Sequence, residues 1–368
     1  MTKLFILLLI TTGPRAAAES LLDRQIGQML MVGVVGSSVK SDDRFHDLIC
    51  RKRVGALILF DYHPMGRRKR NIESPRQLAR LTRDIHRLAA RCGSGPMLLA
   101  VDMEGGGINR LKPQYGFPKI SGHAALGRSG SPAKTRKEGR KIGKLLKSMG
   151  IQWNLAPVLD VNLNSDNPII ARYGRSFSSD PGKVAAHAQA YIRGMNESGI
   201  LNAAKHFPGH GSSWEDSHTR PVDVTNLAQL QVELLPYQRL VGQGLLDAVM
   251  PGHLLNRNID PRYPASLSRA TIQGILRNRL KFRGVVLTED LHMAAILHRY
   301  SLDQAAVLAV QAGADMLLVS NGTDDDDQDL VGPLISAVKA AVEKGAIPRA
   351  RIKEANARIG LLKKKTKR

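Results

Sequence analysis

The sequence predicts an α/β fold, a single-domain (β/α)8 barrel of the TIM type. Two observations lead to this prediction. Eight short apolar runs alternate with amphipathic stretches, which is typical of repeated βα units with a parallel sheet. Charged and polar residues follow the runs at their C-terminal ends, where barrel enzymes assemble active sites from loops. With 368 residues, of which 43% are hydrophobic and 23% charged, the chain is long enough for such a domain.

The predicted strands are the eight apolar runs at residues 29–35, 54–60, 97–101, 152–161, 202–207, 248–253, 284–287 and 316–320. Amphipathic segments predict helices, and the clearest are residues 183–196, 228–243, 267–280 and 302–312. A helical tail from about residue 334 is expected to close the barrel. An open, doubly wound sheet is the alternative, but the glycines at 105–107 lack the G-x-G-x-x-G spacing of a dinucleotide site.

The first eighteen residues differ from the rest of the chain. Lys3 precedes an apolar run over residues 4–10, and small residues follow at 16–18, which is the pattern of a secretory signal peptide. The run is too short to span a bilayer. We therefore expect export to the periplasm or the extracellular space, with the barrel domain in residues 19–368. An uncleaved anchor, or a misassigned start codon on a cytoplasmic protein, are the alternatives.

The formal net charge is +22, and the positive residues concentrate at 51–53, 67–70 and in the basic tail at 363–368. Such clusters attract polyanions. No nucleic-acid recognition motif accompanies them and aromatic residues make up only 4% of the chain, so dedicated nucleic-acid binding is not expected. A solvated basic face that favours an anionic cell envelope is the simpler interpretation. The acidic run at 324–327 is predicted to begin a helix.

Cys50 and Cys92 are the two cysteines. Each follows a helix-like segment, at residues 44–50 and 78–92, and each precedes a predicted strand, so the two can lie side by side. One disulfide bond and two buried free thiols both remain open. The spacing does not suit a metal site, and no metal or cofactor is expected.

Residues 205–218 carry the densest polar chemistry of the chain, with three histidines, a lysine and an aspartate. The segment follows an apolar run and is interrupted by one proline and two glycines, which predicts a strand that ends in a long loop. Asp216 and His218 have the spacing of a carboxylate that orients an imidazole. Other polar residues at predicted strand ends are Asp102, Glu104, Asp160, His253, Glu289 and Asp290.

The motifs together resemble glycoside hydrolase family 3, in particular the bacterial β-N-acetylhexosaminidases that release N-acetylglucosamine from peptidoglycan fragments. The resemblance covers about residues 23–320 and is strongest at residues 205–211, followed by 216–218. Supporting segments, in the family's order, are residues 101–106 leading to Arg110, 154–161, 175–177, 264–268 and 282–286.

The resemblance implies specific roles. A carboxylate after the seventh strand would attack the anomeric carbon, and His218, held by Asp216, would be the general acid and base. An imidazole can donate a proton to the leaving oxygen and later accept one from water, while the carboxylate fixes its tautomer. The positions that match residues binding the sugar hydroxyls and acetamide are Asp102, Arg110, Arg175, Lys205 and His206.

The chain departs from the family at the nucleophile, where the pattern has Ser or Thr followed by Asp. Here Thr288 is followed by Glu289, which is therefore the matched position, and then by Asp290. The extra methylene moves a carboxylate by about 1.5 Å, and a misplacement of about 1 Å can cost about a hundredfold in rate. Three interpretations stay open: Glu289 attacks, Asp290 has replaced it, or the protein only binds glycans.

The expected activity is that of a retaining, exo-acting β-N-acetylhexosaminidase with a covalent glycosyl-enzyme intermediate and a carbohydrate substrate. A phosphorylase is the nearest alternative, because a histidine acid/base does not repel phosphate as a carboxylate does. A metal-dependent amidohydrolase would need paired histidines at the end of the first strand, and residues 31–36 contain none. A substrate-assisted mechanism would need adjacent carboxylates in a motif that the sequence lacks. The sequence leaves glycan length and oligomeric state open.

Overall fold

Eight parallel strands form one curled sheet in a TIM-like barrel. The computed structural model describes residues 20–41, 43–62, 70–320 and 329–366. The predicted signal peptide, the acidic run at 324–327 and the basic residues 67–69 lie outside these ranges. The strands are β1 (Leu30–Gly33), β2 (Ala56–Ile58), β3 (Leu98–Val101), β4 (Trp153–Asn154), β5 (Leu201–Phe207), β6 (Ala248–Pro251), β7 (Val285–Val286) and β8 (Leu317–Val319).

The strand order is β7-β6-β5-β4-β3-β2-β1-β8, and every neighbouring pair is parallel. The two outer strands also meet, because Leu287 bridges Met316 and the Thr288 amide donates to the Met316 carbonyl at 3.0 Å. The TIM-like α/β architecture and its eight strands were thus predicted correctly. The fourth strand is much shorter than predicted, since regular pairing covers only Trp153–Asn154.

Helices separate the strands and surround the sheet. The α-helices are Leu21–Gln28, Asp43–His46, Pro75–Arg91, His123–Arg128, Pro132–Ser148, Pro181–Asn196, Leu230–Gly242, Ala294–Leu297, Leu302–Ala312, Val331–Glu343 and Arg349–Lys365. Asp47–Arg51 and Ala270–Arg279 are π-helical, and short 3-10 turns cover Val39–Ser41, Pro113–Tyr115 and Ala265–Leu267. Two small strand pairs join Met103–Gly105 to Ile108–Asn109, and Val222–Asp223 to Leu254–Leu255. Within the described ranges, no helix is both long and apolar enough to cross a bilayer.

Local sequence explains where the helices begin. Ser74 accepts a hydrogen bond from the amide of Gln77, and a proline occupies the first turn of that helix. Asp180 caps the helix Pro181–Asn196 in the same way, because its side chain accepts hydrogen bonds from the amides of Gly182 and Lys183. The strands are buried on both faces, β5 over its full length, because side chains alternate between the barrel interior and the helical layer.

The C-terminal helix closes the end of the barrel at which the strands begin. Asp315, just before β8, is fully buried and forms ion pairs with Arg277 (2.6 Å), Arg358 (3.0 Å) and Arg351. The predicted helical tail is therefore confirmed. The expectation of a solvated basic tail is wrong for Lys363, which is buried and donates to Gln28 Oε1 at 2.7 Å. Its long apolar stem packs under the barrel.

Cys50 and Cys92 are joined by a disulfide bond, with their Cα atoms 5.2 Å apart. The prediction that the two helices bring the cysteines side by side is confirmed, and the bond decides between the two states that the sequence left open. Among the described residues, one group of three potential metal ligands lies within 4.8 Å, and it consists of these two sulfur atoms and His46. It lies on the helices before β2 and β3, apart from the strand ends described next.

Candidate active site

All eight residues predicted for the site follow strands at the same end of the barrel. Two of them belong to β5 itself, and the others lie in the loops after β3, β4, β5 and β7: Lys205, His206, Asp102, Arg110, Arg175, Asp216, His218 and Glu289. Parallel strands in a barrel end at one rim, so their loops converge over its centre. Direct contacts, given below, form two groups, which we name after their predicted roles: the sugar-binding floor around Lys205 and Arg175, with Arg110 at its edge, and the acid/base loop at residues 208–218. Glu289 belongs to neither group and bonds to the backbone of His253.

The sugar-binding floor is a buried network of alternating charges made by Asp102, Glu104, Arg175, Lys205, His206 and Asp160. Lys205 Nζ donates to Asp102 Oδ1 at 2.7 Å and lies 2.8 Å from Glu104 Oε1. Arg175 pairs with Glu104 through two parallel hydrogen bonds of 2.8 and 2.9 Å. The two cations and two carboxylates balance one another, which offsets the cost of removing them from water.

Two of the three floor carboxylates, Asp102 and Glu104, are held in the ionised form by neighbouring cations. Burial alone would raise the pKa of Asp102, but the positive charges of Lys205 and Arg110 outweigh it and lower the pKa. Burial likewise opposes ionisation of Glu104, and Arg175 and Lys205 reverse it, so the pKa of Glu104 lies well below its usual range. Asp102 thus presents a negative acceptor near the opening. Glu104 was not among the predicted site residues, although it stands two positions from Asp102 at the same strand end.

His206 is fixed in one tautomer by Asp160. Asp160 Oδ2 lies 2.7 Å from His206 Nδ1, while Oδ1 accepts the amides of His206 (3.2 Å) and His210 (2.8 Å). Burial opposes ionisation of Asp160, yet the neighbouring histidines lower its pKa. An ionised carboxylate can only accept, so the ring proton sits on Nδ1 and Nε2 accepts from Arg175 Nη2 at 3.3 Å. The sequence thus predicted His206 as a site residue and located Asp160 at a strand end, but it did not predict that Asp160 orients His206.

Among the residues that the structure describes, no cationic side chain forms an ion pair with the buried carboxylate of Glu289. Its Oε2 accepts the backbone amide of His253 at 2.8 Å. Burial would raise the pKa of Glu289, but the electrostatic interaction with four neighbouring imidazoles outweighs it and lowers the pKa to about 2: His253, His206, His210 and His218. Glu289 is therefore ionised at neutral pH and carries the charge that a nucleophile requires.

Asp290 has different hydrogen-bond partners from Glu289. Its Oδ1 accepts the amides of His292 and Ser320, both at 3.0 Å, and its carbonyl oxygen accepts from His253 Nε2 at 2.8 Å. These bonds tie the loop after β7 to the end of β8. The geometry therefore favours Glu289 over Asp290 as the carboxylate available to a substrate.

The predicted pair Asp216 and His218 is formed. Asp216 Oδ1 lies 2.7 Å from His218 Nδ1 and accepts the His218 amide at 2.9 Å. The imidazole is 54% exposed. Desolvation would lower the pKa of His218, but the hydrogen bond to Asp216 and the charge of Glu289 raise it. The amide of Ala295 donates to the Ser217 carbonyl at 3.3 Å, so the acid/base loop lies against the segment that follows β7 and carries Glu289, and Nε2 is the His218 ring atom left for proton transfer.

Hydrogen bonds from two asparagine side chains hold the first half of the acid/base loop in place. Asn167 Nδ2 donates to the carbonyls of His210 (2.8 Å) and Ser213 (3.0 Å), and Asn164 Nδ2 donates to Ser213 O at 2.8 Å. Gly211 is required here, since a Cβ would lie 1.7 Å from the carbonyl oxygen of Val161. Neither asparagine was predicted, because nothing in the local pattern marks them and their partners lie more than forty residues away.

Glu233 supports the same half of the loop. It lies on the helix Leu230–Gly242, is buried, and accepts from Ser212 Oγ at 2.9 Å. Burial raises the pKa of Glu233 to about 7, so near neutrality this carboxyl is partly protonated. Gly209 packs directly on it, leaving no room for a larger residue.

Arg110 lies at the edge of the floor beside a carboxylate that the sequence analysis missed. Asp61, three residues after the end of β2, is fully buried and pairs with Arg110 Nη1 (3.5 Å) and Lys112 Nζ (2.5 Å). Arg110 Nη2 is 4.0 Å from Asp102 Oδ2. The rule that polar residues follow the predicted strands would have identified Asp61, since it comes next after the run 54–60.

The chain matches the family model of the "Glycosyl hydrolase family 3 N terminal domain" over residues 21–362. It is similar to a protein named beta-hexosaminidase from Idiomarina loihiensis, with 36% identity over 298 residues, 79% of this chain and 83% of that protein.

Two solved structures are also similar. A glycoside hydrolase family 3 β-N-acetylglucosaminidase from Paenibacillus superimposes with a TM-score of 0.85 at 34% identity, over 94% of this chain and 62% of that one. A β-N-acetylhexosaminidase from Beutenbergia cavernae superimposes with a TM-score of 0.81 at 30% identity, over 94% of this chain and 99% of that one. The Paenibacillus protein thus contains a large part that this chain does not match.

Proposed function

Because the chain belongs to glycosyl hydrolase family 3 and is a glycoside hydrolase, we propose that it is a retaining, exo-acting β-N-acetylhexosaminidase that acts on peptidoglycan-type fragments. The names of its relatives support the sugar class. One observation supports the mechanism: His218, oriented by Asp216, lies on a loop that is hydrogen-bonded to the segment carrying the buried Glu289. The substrate is a glycan that ends in N-acetylglucosamine.

In the first step Glu289 attacks the anomeric carbon of the terminal sugar, and the glycosidic bond breaks. His218 Nε2 gives its proton to the departing oxygen, so that the leaving group departs as a neutral alcohol. Asp216 stabilises the imidazolium before that transfer and keeps the ring turned toward the substrate. The product of this step is a covalent glycosyl ester on Glu289.

In the second step the roles of His218 reverse. The neutral imidazole removes a proton from water, the water oxygen attacks the anomeric carbon, and Glu289 leaves as a carboxylate. Two displacements on opposite faces restore the original configuration. The low pKa of Glu289 makes it a good leaving group.

The sugar-binding floor fixes the terminal N-acetylglucosamine. Asp102, Arg110 and Lys205 offer acceptors and donors for hydroxyl groups, because their charges are only partly satisfied by one another. Arg175 and His206 lie deeper and in mutual contact, where they suit the acetamide or the hydroxyl beside it. The burial of Glu104, Arg175 and Lys205 supports exo action, because side chains enclosed at the rim suit the end of a glycan better than its middle.

The hydrogen bond from the His253 amide accommodates the longer side chain of Glu289. The His253 amide that binds Oε2 is itself held, because His253 Nδ1 accepts from Ser266 Oγ at 2.7 Å and Nε2 donates to Asp290 O. This arrangement fixes the carboxylate in one direction and offsets the freedom that the extra methylene adds.

A mechanism-based label tests the proposal. A slow 5-fluoro glycoside of N-acetylglucosamine should trap an ester on the peptide that contains Glu289, detected by mass spectrometry after digestion. Label on Asp290 would transfer the role by one residue. No label, combined with unchanged sugar binding and a Glu289→Gln variant as active as the natural chain, would leave a glycan-binding protein.

Phosphorolysis is the second candidate, since a neutral His218 does not repel phosphate and the net charge of +22 attracts it. Its product is a sugar 1-phosphate in place of the free sugar. Turnover of a chromogenic β-N-acetylglucosaminide with and without phosphate, analysed for both products, separates the two reactions.

We also propose that the chain is exported. Its Cys50–Cys92 disulfide suits an oxidising compartment, and the N-terminal pattern suits a signal peptide. N-terminal sequencing of the native protein should start near Glu19; a protein that begins at Met1 or Thr2 would contradict it. The basic clusters would then face an anionic cell envelope, and release by moderate salt measures that association.

A further inference from the structure

Exposed aromatic side chains lie at the rim that carries the site. The large hydrophobic residues exposed in the described part of the chain are Leu21, Tyr62, Tyr173, Trp214, Leu297 and Leu361. All three aromatic members follow strands at the site end of the barrel, after β2, β4 and β5. Trp214 is the largest, and it is 55% exposed. Tryptophan is highly buried on average, and exposed indole rings are enriched at binding surfaces, so the position of Trp214 on the same loop as His218 suggests a ligand.

The indole is exposed although its backbone is fixed. Ser213, the preceding residue, is fully buried, and both clamping asparagines, Asn164 and Asn167, donate to its carbonyl oxygen. Ser213 Oγ also lies 2.7 Å from His210 Nδ1. The ring is therefore carried by an ordered support, so a ligand that stacks on it would lose little additional conformational entropy.

Trp214 and His218, the proposed general acid and base, lie on one short loop. Asp216 is two residues further along and holds His218 through both its ring and its amide. On the far side the Ser217 carbonyl accepts the amide of Ala295 at 3.3 Å, which ties this half of the loop to the segment after β7. The acid of a glycosidase stands on the side where the leaving group departs, because it protonates the departing oxygen.

We propose that Trp214 is the platform on which the leaving-group sugar stacks, forming a binding subsite next to His218. This inference rests on the proposed function and adds to it the recognition of the second sugar. The apolar C–H face of a pyranose covers an indole ring well, while its hydroxyl groups stay in water at the edge. The ligand is a glycan of at least two β-linked sugars, of which the terminal N-acetylglucosamine occupies the floor and the next one stacks on the ring.

Fluorescence offers a direct binding test, because the chain has two tryptophans and they differ in exposure. Trp153 is fully buried and Trp214 is exposed, so iodide quenching reports on Trp214. In a Glu289→Gln chain, N,N′-diacetylchitobiose should protect the fluorescence from iodide and N-acetylglucosamine should not. Equal protection by both sugars, or by neither at concentrations that saturate binding, overturns the proposal.

Kinetics test the same subsite in the active chain. Trp214→Ala should lower kcat/KM for N,N′-diacetylchitobiose about tenfold, the value of one stacking contact. It should leave the β-glycosyl azide of N-acetylglucosamine within about twofold, because that leaving group has no ring to stack. Trp214→Phe should restore most of the disaccharide activity.

Leu361→Ala is the matched control, because Leu361 is an exposed apolar residue on the helix at the opposite end of the barrel; it should change neither substrate. Equal losses on both substrates in Trp214→Ala would show that the ring supports the loop instead of a sugar. No loss on either substrate would show that the Trp214 side chain does not take part in binding. If the natural chain turns over neither substrate, the proposed function fails, while the quenching experiment still decides on Trp214.

Discussion

The sugar-binding floor and the acid/base loop share one rim of the barrel but are held in opposite ways. The side chains of Glu104, Arg175 and Lys205 are almost completely buried, and each has charged partners. His218, in contrast, is half exposed and depends on one carboxylate, Asp216. The floor must bind the same sugar in every cycle, whereas the loop must exchange a proton with solvent and let the leaving group depart. Burial suits the first task and exposure the second.

The difference predicts different energetic consequences for similar substitutions. Removing one partner from a buried ion pair leaves an uncompensated charge in a low-dielectric site. Removing one partner from an exposed pair leaves a charge that water solvates. Substitutions in the floor should therefore unfold the protein more readily, and substitutions in the loop should change catalysis with little effect on stability.

The largest effect is expected at the nucleophile. Glu289→Gln should reduce kcat by at least about a thousandfold, as loss of a catalytic nucleophile does in other enzymes. Glu289→Asp should remain active, because it restores the residue at the matched position of the family. The measurement is steady-state turnover of a chromogenic β-N-acetylglucosaminide, and circular dichroism confirms that both variants fold. A Glu289→Gln chain with ordinary activity would remove Glu289 from the mechanism.

Glu104→Gln should destabilise the protein by about 3–5 kcal/mol, since Arg175 and Lys205 would lose a shared carboxylate within the buried network. Asp216→Asn is the matched substitution in the loop and should cost less than about 1 kcal/mol. Urea unfolding of the two variants measures both values. Similar losses would show that the floor and the loop do not differ in the way their burial indicates.

His218→Ala should slow the first chemical step by about a hundredfold or more for substrates with poor leaving groups. Activated aryl glycosides should be spared in that step, because they depart without a proton. Pre-steady-state measurement of glycosylation with both kinds of substrate separates the cases. Equal slowing of both would argue that the imidazole positions the loop and does not supply the proton.

The smallest effect concerns the pH profile. Glycosylation needs protonated His218, and the raised pKa of His218 keeps that form present to higher pH than an isolated imidazole would. Asp216→Asn should therefore move the alkaline limb of kcat/KM to lower pH. The same pair adds a little stability that is complete below the unfolded pKa of histidine and is lost as pH rises through the folded pKa. If the alkaline limb does not move, a group other than His218 is responsible for it.

Most of the fold could be predicted from the sequence, because its signals are local. Each strand is an apolar run that ends at turn residues or at polar residues, and the helix starts are marked by residues such as Ser74 and Asp180 that cap them. The predicted site residues come from the same rule together with the family resemblance at residues 205–218, at Arg110 and at 175–177. Asp61 also obeys the rule and was overlooked.

Contacts between residues that lie far apart in the chain could not be predicted from the sequence. Asn164 and Asn167 clamp a loop more than forty residues ahead, and Glu233 meets Ser212 from the following helix. Nothing in the sequence around these residues identifies such a contact. The orientation of Asp290 likewise depends on the amide of Ser320, thirty residues later at the end of β8.

The sequence by itself determined the eight βα units, the rim that would carry the chemistry and the residue types available there. Only the tertiary structure decided which charges face one another, that Cys50 and Cys92 are joined, and that Glu289 and Asp290 have different partners. The physical reason is that periodicity and capping act within a few residues, whereas burial and ion pairing depend on distances that are set only when the barrel forms.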